Sequence, residues 1–143
     1  MEHLWLIFAL LSAITAAFVA IFGKIGLTGI DSGLATAVRA VIMAIFLVSI
    51  ALLQGKFSEL HTIFSNSKAL LYIVLSGIAG ALSWLFYFFA LKLGKVSQVA
   101  PIDRLSVVFA IILAFLILGE KLTIKTGIGA SLIAAGAIIV ALG

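Results

Sequence analysis

Five long apolar runs constrain this chain more than any other feature of its sequence. The first extends from Leu4 to Phe22, and a helix of that length spans about 30 Å, the thickness of a hydrocarbon core. The other four runs have similar lengths, so we predict five transmembrane helices, over residues 4–22, 34–53, 69–91, 99–118 and 126–142. The expected fold class is all-α, a polytopic membrane helix bundle.

Composition excludes a water-soluble fold. Of the 143 residues, 65% are hydrophobic and 10% are charged, and the mean hydropathy is +1.42, whereas a soluble domain of this length needs a polar shell. We therefore expect residues 1–143 to form a single transmembrane domain. The first apolar run has no basic leader and is followed by more apolar sequence, so we expect it to stay in the protein. Because the Lys and Arg residues are scattered between the apolar runs, we expect membrane lipid as a partner and no nucleic acid.

No motif of a soluble enzyme or a metal site is present. The chain has no cysteine, and Glu59 and His61 have the wrong spacing for a helical metal pair. Gly127 and Gly129 resemble the start of a dinucleotide fingerprint, but the third glycine is missing and no strand is predicted before them. No nucleophile and base occur at suitable spacing within the predicted helices. We expect no enzymatic activity, no cofactor and no metal.

A few charged and aromatic residues lie inside the predicted helices, roughly 6 to 10 Å from the ends on one side of the membrane. They are Arg39, Trp84, Tyr87, Asp103 and Arg104. Ionisable groups at this depth face the bundle interior or water and pair where possible. We predict that Asp103 pairs with Arg39, that one positive charge remains, and that the five residues line half of a cavity. Such a cavity favours amphipathic solutes with an anionic or zwitterionic group.

Structural interpretations of the same residues stay open. A buried pair of Arg39 and Asp103 can serve only to fix helix packing, and Arg104 can extend to the lipid headgroups. Trp84 and Tyr87 also match the aromatic belt found at membrane interfaces.

The last predicted helix carries small residues at four-residue spacing, namely Gly127, Ser131 and Ala135. A row of small side chains lets the backbone of another helix approach closely. We predict that this face packs against another helix.

The charges that flank the helices leave the orientation undecided. With five crossings, one side of the membrane has four lysines, Lys56, Lys68, Lys121 and Lys125. The other side has Lys24, Lys92 and Lys95, which we interpret as membrane anchors, and it also has Arg39 and Arg104 at the membrane edge. The rule that positive loops stay inside therefore has no clear outcome. Either a predicted helix edge is misplaced, or the chain inserts both ways round and forms an antiparallel homodimer. Such a dimer reproduces the inverted-repeat plan of many secondary transporters, in which a central site lies between oppositely oriented halves.

Several local sequences carry a family resemblance. They are Ala90-Leu91-Lys92-Leu93-Gly94, Val99-Ala100-Pro101-Ile102, Leu118-Gly119-Glu120-Lys121, the glycine-patterned stretch 127–136, Arg39 and Trp84-Leu85-Phe86-Tyr87. Together they resemble an EamA domain of the drug/metabolite transporter superfamily, in its compact five-helix form. The resemblance implies a secondary transporter or exporter of small organic metabolites in the cytoplasmic membrane of a prokaryote, driven by an ion gradient or by exchange without ATP. It also implies that the chain is one half of the inverted-repeat plan, since the ten-helix relatives consist of two inverted five-helix halves.

A second function stays open on the sequence alone. The chain can instead be a non-transporting subunit of a hetero-oligomeric membrane complex, such as a lipid-linked sugar flippase. The small multidrug exporters of the same superfamily depend on a carboxylate in the first helix. Because residues 4–22 contain none, the chain departs from that pattern.

Overall fold

The computed structural model describes residues 4–143, and all the regular secondary structure in that part of the chain is helical. Five described segments are long and apolar enough to cross a membrane, namely Leu4–Gly26, Ser32–Leu53, Ser67–Leu93, Val96–Leu118 and Ile124–Leu142. The predicted all-α class with five membrane spans is confirmed, and the protein is an integral membrane protein. The α-helices are α1 (Leu4–Gly26), α2 (Ser32–Leu53), α3 (Leu60–Ser65), α4 (Ser67–Leu93), α5 (Val96–Asp103), α6 (Leu105–Leu113) and α7 (Ile124–Leu142).

The described chain divides into two compact units. Unit 1 comprises residues 4–24 together with Leu93–Gly143, and unit 2 comprises Ile25–Lys92. Unit 1 therefore contains most of α1 with α5, α6 and α7, and unit 2 contains α2, α3 and nearly all of α4. The single domain over residues 1–143, whose first three residues lie outside the described part, stays a prediction.

Helix α2 begins at a side-chain cap. The Asp31 carboxylate accepts a hydrogen bond of 2.9 Å from the Leu34 backbone N–H, which satisfies one of the N–H groups left without a partner at a helix start. The next residue, Ser32, is 1% exposed, and its hydroxyl has no hydrogen-bond partner among the described residues. Helix α2 thus starts with one polar side chain that is used and one that is buried without a partner.

The polar segment after α2 is helical. Gly55 takes the left-handed conformation, with φ at 67°, just after α2 ends. A 3₁₀ turn over Lys56–Glu59 follows and leads directly into α3. The segment is a short connection between two membrane spans.

The fourth membrane span starts earlier than its sequence indicates. The apolar run predicts a start at residue 99, which would place Pro101 in the first turn, but Lys95 takes an extended conformation and α5 begins at Val96. Pro101 is therefore in the second turn, where its missing N–H removes a hydrogen bond from the helix. The chain tightens after it, since the Arg104 N–H is shared between the carbonyls of Ala100 at 3.3 Å and Pro101 at 3.1 Å. As a result, α5 ends at Asp103 and α6 begins at Leu105.

The same span ends in a wider turn. Residues Ala114–Leu118 are π-helical, and the Glu120 N–H donates to the Ala114 carbonyl at 3.2 Å. Between them Gly119 has a φ of 69°, a left-handed conformation that glycine adopts without a steric penalty. The Gly119-Glu120 pair therefore ends the span where the sequence places its end.

In unit 1, α5 and α6 both pack against α7. The packed face of α7 consists of small side chains, of which Ala130 and Ala137 are buried. The predicted face, with Gly127, Ser131 and Ala135, lies beside it and is exposed within the chain. A Cβ atom added at Gly127 would meet nothing within 4 Å, so no contact within the chain requires glycine there. Packing of this second face against another helix stays a prediction.

Candidate functional site

Arg39 lies on α2 and is partly buried. It follows the start of the helix by two turns, which corresponds to about 10 Å of membrane depth. Its guanidinium carbon lies 3.6 Å above the ring centroid of Trp84 and 5.3 Å from that of Phe88. A cation over an aromatic face is stabilised by about 0.5 to 2 kcal/mol, more when water is excluded. The structure thus brings Arg39 and Trp84 of the predicted site together.

Three aromatic residues of α4 form the surface that holds Arg39. Trp84, Tyr87 and Phe88 are spaced i, i+3, i+4, so they share one helix face. The Trp84 and Tyr87 rings meet edge-on with centroids 5.7 Å apart, and the Phe88 ring lies 5.9 Å from Trp84 and 6.1 Å from Tyr87. Phe88 is buried. We call these three residues and Arg39 the arginine–aromatic cluster.

Phe88 is a site residue that the sequence interpretation did not assign. Its side chain is the second ring near the Arg39 guanidinium, and it packs against both predicted aromatic residues. The signal was present in the sequence, because Phe88 follows Trp84 by four residues and so lies on the same face.

The positive charge of Arg39 has no carboxylate partner within unit 2. Residues 25–92 contain two carboxylates, Asp31 and Glu59. The first caps α2 at Leu34, and the second lies in the 3₁₀ turn beyond the opposite end of α2. An ionised side chain inside a membrane span usually faces the protein interior or water and marks a functional site. Here the aromatic rings stabilise the cation and leave it unneutralised within its unit.

Asp103 and Arg104 belong to unit 1, at the break between α5 and α6. Asp103 is partly buried and Arg104 is exposed. The pairing of Arg39 with Asp103, and the roles of Asp103 and Arg104 in a solute path, stay predictions.

Lys24 does more than anchor the end of α1. Its Nζ donates a hydrogen bond of 2.7 Å to the carbonyl of Gly94 in the connection between α4 and α5. A lysine commonly satisfies a carbonyl that a helix end leaves without a partner. This contact ties the end of α1 to the start of α5 within unit 1. Among residues 4–143, no cluster of three or more His, Cys, Asp or Glu side chains has the arrangement of a metal site.

Nearly the whole described chain matches one family. The EamA-like transporter family matches residues 3–142. The chain belongs to this family. The resemblance inferred from the sequence motifs is thereby confirmed, and the EamA protein has a transporter role.

Two relatives of this EamA chain come from prokaryotes. One is a protein of Sinorhizobium sp. described as an uncharacterized transporter in the cobO 3′ region, which is 41% identical over 141 residues, 99% of each chain. The other is an uncharacterized protein of Methanocaldococcus jannaschii, which is 32% identical over 101 residues, 71% of each chain. No solved structure is significantly similar to the chain. The first relative matches nearly the full length of this EamA chain and is described as an uncharacterized transporter.

Proposed function

We propose that this protein is a secondary transporter that moves small organic metabolites across the cytoplasmic membrane of a prokaryote. The observation that carries the proposal is the arginine–aromatic cluster, a cation held inside a membrane span of an EamA protein without a carboxylate partner in its unit. Ionisable residues at such depth line substrate or ion paths in membrane proteins. Transport uses an ion gradient or solute exchange, and the protein performs no covalent chemistry.

The transporting form that we propose is an antiparallel homodimer. Only seven of the described residues are buried in the single chain, Ala20, Leu27, Ser32, Phe88, Leu91, Ala130 and Ala137, so most side chains of one copy remain available for contact with lipid or with a second copy. The balance of positive charge on the two sides of the predicted spans supports insertion in both orientations. Two oppositely oriented copies would form the inverted-repeat plan of a ten-helix transporter.

Flux into liposomes tests the transport proposal. Purified protein in liposomes should take up members of a panel of labelled small amino acids, organic acids and amines faster than protein-free liposomes do. Uptake should be measured with and without a proton gradient, and with unlabelled solute inside to detect exchange. Flux at the level of protein-free liposomes for the whole panel would refute transport.

The orientation proposal has a separate test. Reporters that are active on only one side of the membrane should be fused to the C-terminus, and both should give comparable activity. Activity from only one reporter would refute the antiparallel homodimer. Recovery of a stoichiometric unlike partner in mild detergent, together with absent flux, would favour the non-transporting subunit of a hetero-oligomeric complex.

A further inference from the structure

The short distance between the Arg39 guanidinium carbon and the Trp84 ring implies a face-on contact, because an edge-on guanidinium would bring its nitrogens too close to the ring atoms. A guanidinium carbon 3.6 Å from the ring centroid is in van der Waals contact with the ring. The five N–H donors of arginine lie in the guanidinium plane and point outward from its edge. When the face of the Arg39 guanidinium contacts the Trp84 ring, the N–H donors at the guanidinium edge are not used by that contact.

No group of unit 2 uses those donors. Among residues 25–92, no hydrogen bond or ion pair joins the Arg39 guanidinium to another group, and the rings that it contacts are those of Trp84 and Phe88. A guanidinium that is partly removed from water needs acceptors for its N–H groups. Within its unit, Arg39 is therefore a partly buried donor group with no protein acceptor, and its N–H groups are available to a ligand.

The aromatic neighbours restrict the movement of the ring that holds Arg39. Tyr87 meets Trp84 edge-on, and the buried Phe88 lies within 6.1 Å of both ring centroids. Paired aromatic rings of this kind stabilise one another. The guanidinium is consequently held on an ordered surface, and less conformational freedom remains to be lost when a ligand binds.

We propose that Trp84 positions Arg39 so that the edge of its guanidinium binds the oxyanion of the transported solute, above all a carboxylate. This inference rests on the proposed transport function and names its substrate class. A planar carboxylate can accept two parallel N–H···O bonds from one arginine, an arrangement that neutral amides and protonated amines cannot reproduce. Arg39 is the binding residue, and Trp84 is a positioning residue.

Binding of a small carboxylate tests the inference. The probe is labelled butyrate, with butyramide and butylamine as competitors of the same chain length but different charge. In liposomes of phosphatidylcholine, we expect saturable butyrate binding that Arg39→Gln weakens roughly 10- to 100-fold, the effect of losing hydrogen bonds to a charged group. The matched control is Lys68→Gln, which removes one positive charge from an exposed position at the start of α4 and should leave binding unchanged. Equal binding by Arg39→Gln and the parent protein, or competition by butyramide equal to that by unlabelled butyrate, would overturn the inference.

Substitution of Trp84 tests the positioning role. Trp84→Leu should weaken butyrate binding roughly 3- to 30-fold through the loss of the cation–π contact, and Trp84→Phe should restore part of it. Arg39→Lys should also weaken binding, because an ammonium group has no planar edge. Trp5→Leu, which removes an exposed tryptophan of α1, is the matched control. Loss of butyrate binding in Trp84→Leu that Trp84→Phe does not restore would contradict the positioning role.

The oxyanion could also belong to a lipid phosphate, and the same assay separates the two sources. Addition of phosphatidylglycerol to the liposomes should leave butyrate affinity at Arg39 within roughly twofold, since a site that faces the solute path is closed to lipid. Displacement of butyrate by phosphatidylglycerol in the parent protein would assign Arg39 to a lipid headgroup and overturn the inference.

The binding and flux measurements test the Arg39 site and the transport function separately, so either proposal can be refuted without the other. Butyrate binding that depends on Arg39, in a protein that moves no solute of the panel, would refute transport and leave the anion site standing. Solute flux that Arg39→Gln does not reduce would support transport and refute the role of Arg39 in binding the solute.

Discussion

Helices meet in different ways in the two units. In unit 1, α7 contacts α5 and α6 through a face where the buried residues are Ala130 and Ala137. In unit 2, α2 and α4 meet through long side chains, with Arg39 placed over Trp84 and near Phe88. Small side chains let helix backbones approach closely, whereas long ones hold the backbones apart and place polar groups between them.

The two kinds of helix contact have different roles, one in stability and the other in function. Close packing of small residues in a membrane contributes van der Waals contacts and leaves no room for a ligand. A contact through an arginine and aromatic rings places a charged donor group between two helices instead. We therefore expect substitutions in α7 to act on unfolding, and substitutions in the arginine–aromatic cluster to act on transport.

The largest expected effect is a loss of flux, measured by substituting one arginine in each unit. Arg39→Gln should reduce carboxylate flux in liposomes roughly 10- to 100-fold, because the solute loses charge-assisted hydrogen bonds of about 1.5 to 3 kcal/mol. Arg104→Gln should reduce it less, because Arg104 is exposed at a helix break.

The control for this comparison is folding. Arg39→Gln should change the free energy of unfolding by less than about 1 kcal/mol, because the lost cation–π contact is offset by removal of a charge from the membrane. Unfolding can be followed by titration of protein in mild detergent with sodium dodecyl sulfate. A larger flux loss in Arg104→Gln than in Arg39→Gln would contradict the distinction drawn between the units.

The next effect concerns the close packing of unit 1. Ala130→Leu should destabilise the protein by about 1 to 3 kcal/mol, since extra methyl groups force helices apart where they are in contact. Ala135→Leu adds the same side chain to the exposed face of the same helix, and it should change the unfolding free energy by less than about 0.5 kcal/mol. Equal destabilisation by both variants would show that the two faces of α7 are packed alike.

Ala135→Leu also tests the second face of α7. If Gly127, Ser131 and Ala135 pack against a helix of another copy, the substitution should weaken self-association in detergent while the monomer stays folded. Self-association can be measured by sedimentation equilibrium. Unchanged association would remove this face from the predicted interface.

The membrane spans were predictable because hydropathy decides them. Runs of apolar side chains that are long enough to cross a membrane must be helical, since every backbone N–H and carbonyl needs a partner within the segment. Helix ends depend on local polar contacts, which hydropathy does not describe. The fourth span therefore begins at Val96 through the extended conformation of Lys95, and Pro101 lies in its second turn.

Contacts between helices were harder to predict. In α7 the buried residues Ala130 and Ala137 lie beside the predicted face with Ser131 and Ala135, and both faces carry small side chains. The pattern of small residues does not distinguish the two faces, and packing of the predicted face against another copy stays a prediction. In α4 the spacing of Trp84 and Tyr87 placed both on one face. Their contact with Arg39 depends on how α2 and α4 are rotated, which neither helix sequence determines alone.

A smaller effect on the free energy of unfolding is expected when one helix cap of each unit is removed. The Asp31 carboxylate accepts from the Leu34 N–H at 2.9 Å, and the Thr123 hydroxyl accepts from the Thr126 N–H at 3.1 Å. Asp31→Ala and Thr123→Ala should each destabilise by about 0.5 to 2 kcal/mol. Asp31→Ala should cost more, because a negative charge also interacts favourably with the helix dipole. Asp31→Asn is the control that keeps the cap, and its unfolding free energy should lie between those of the parent and Asp31→Ala. A larger cost for Thr123→Ala would contradict this order.

The smallest effect is expected beside that cap, at Ser32. Its hydroxyl is buried and has no hydrogen-bond partner among the described residues, so Ser32→Ala removes a desolvated polar group and should be neutral or stabilising by up to about 1 kcal/mol. The matched control is Ser49→Ala in the same helix, because the Ser49 hydroxyl donates to the Ile45 carbonyl at 2.8 Å and its loss should be slightly destabilising. Unfolding of the two variants in detergent shows whether each substitution raises or lowers the free energy of unfolding. Destabilisation of Ser32→Ala by more than about 1 kcal/mol would mean that the hydroxyl has a bound partner, such as an ordered water.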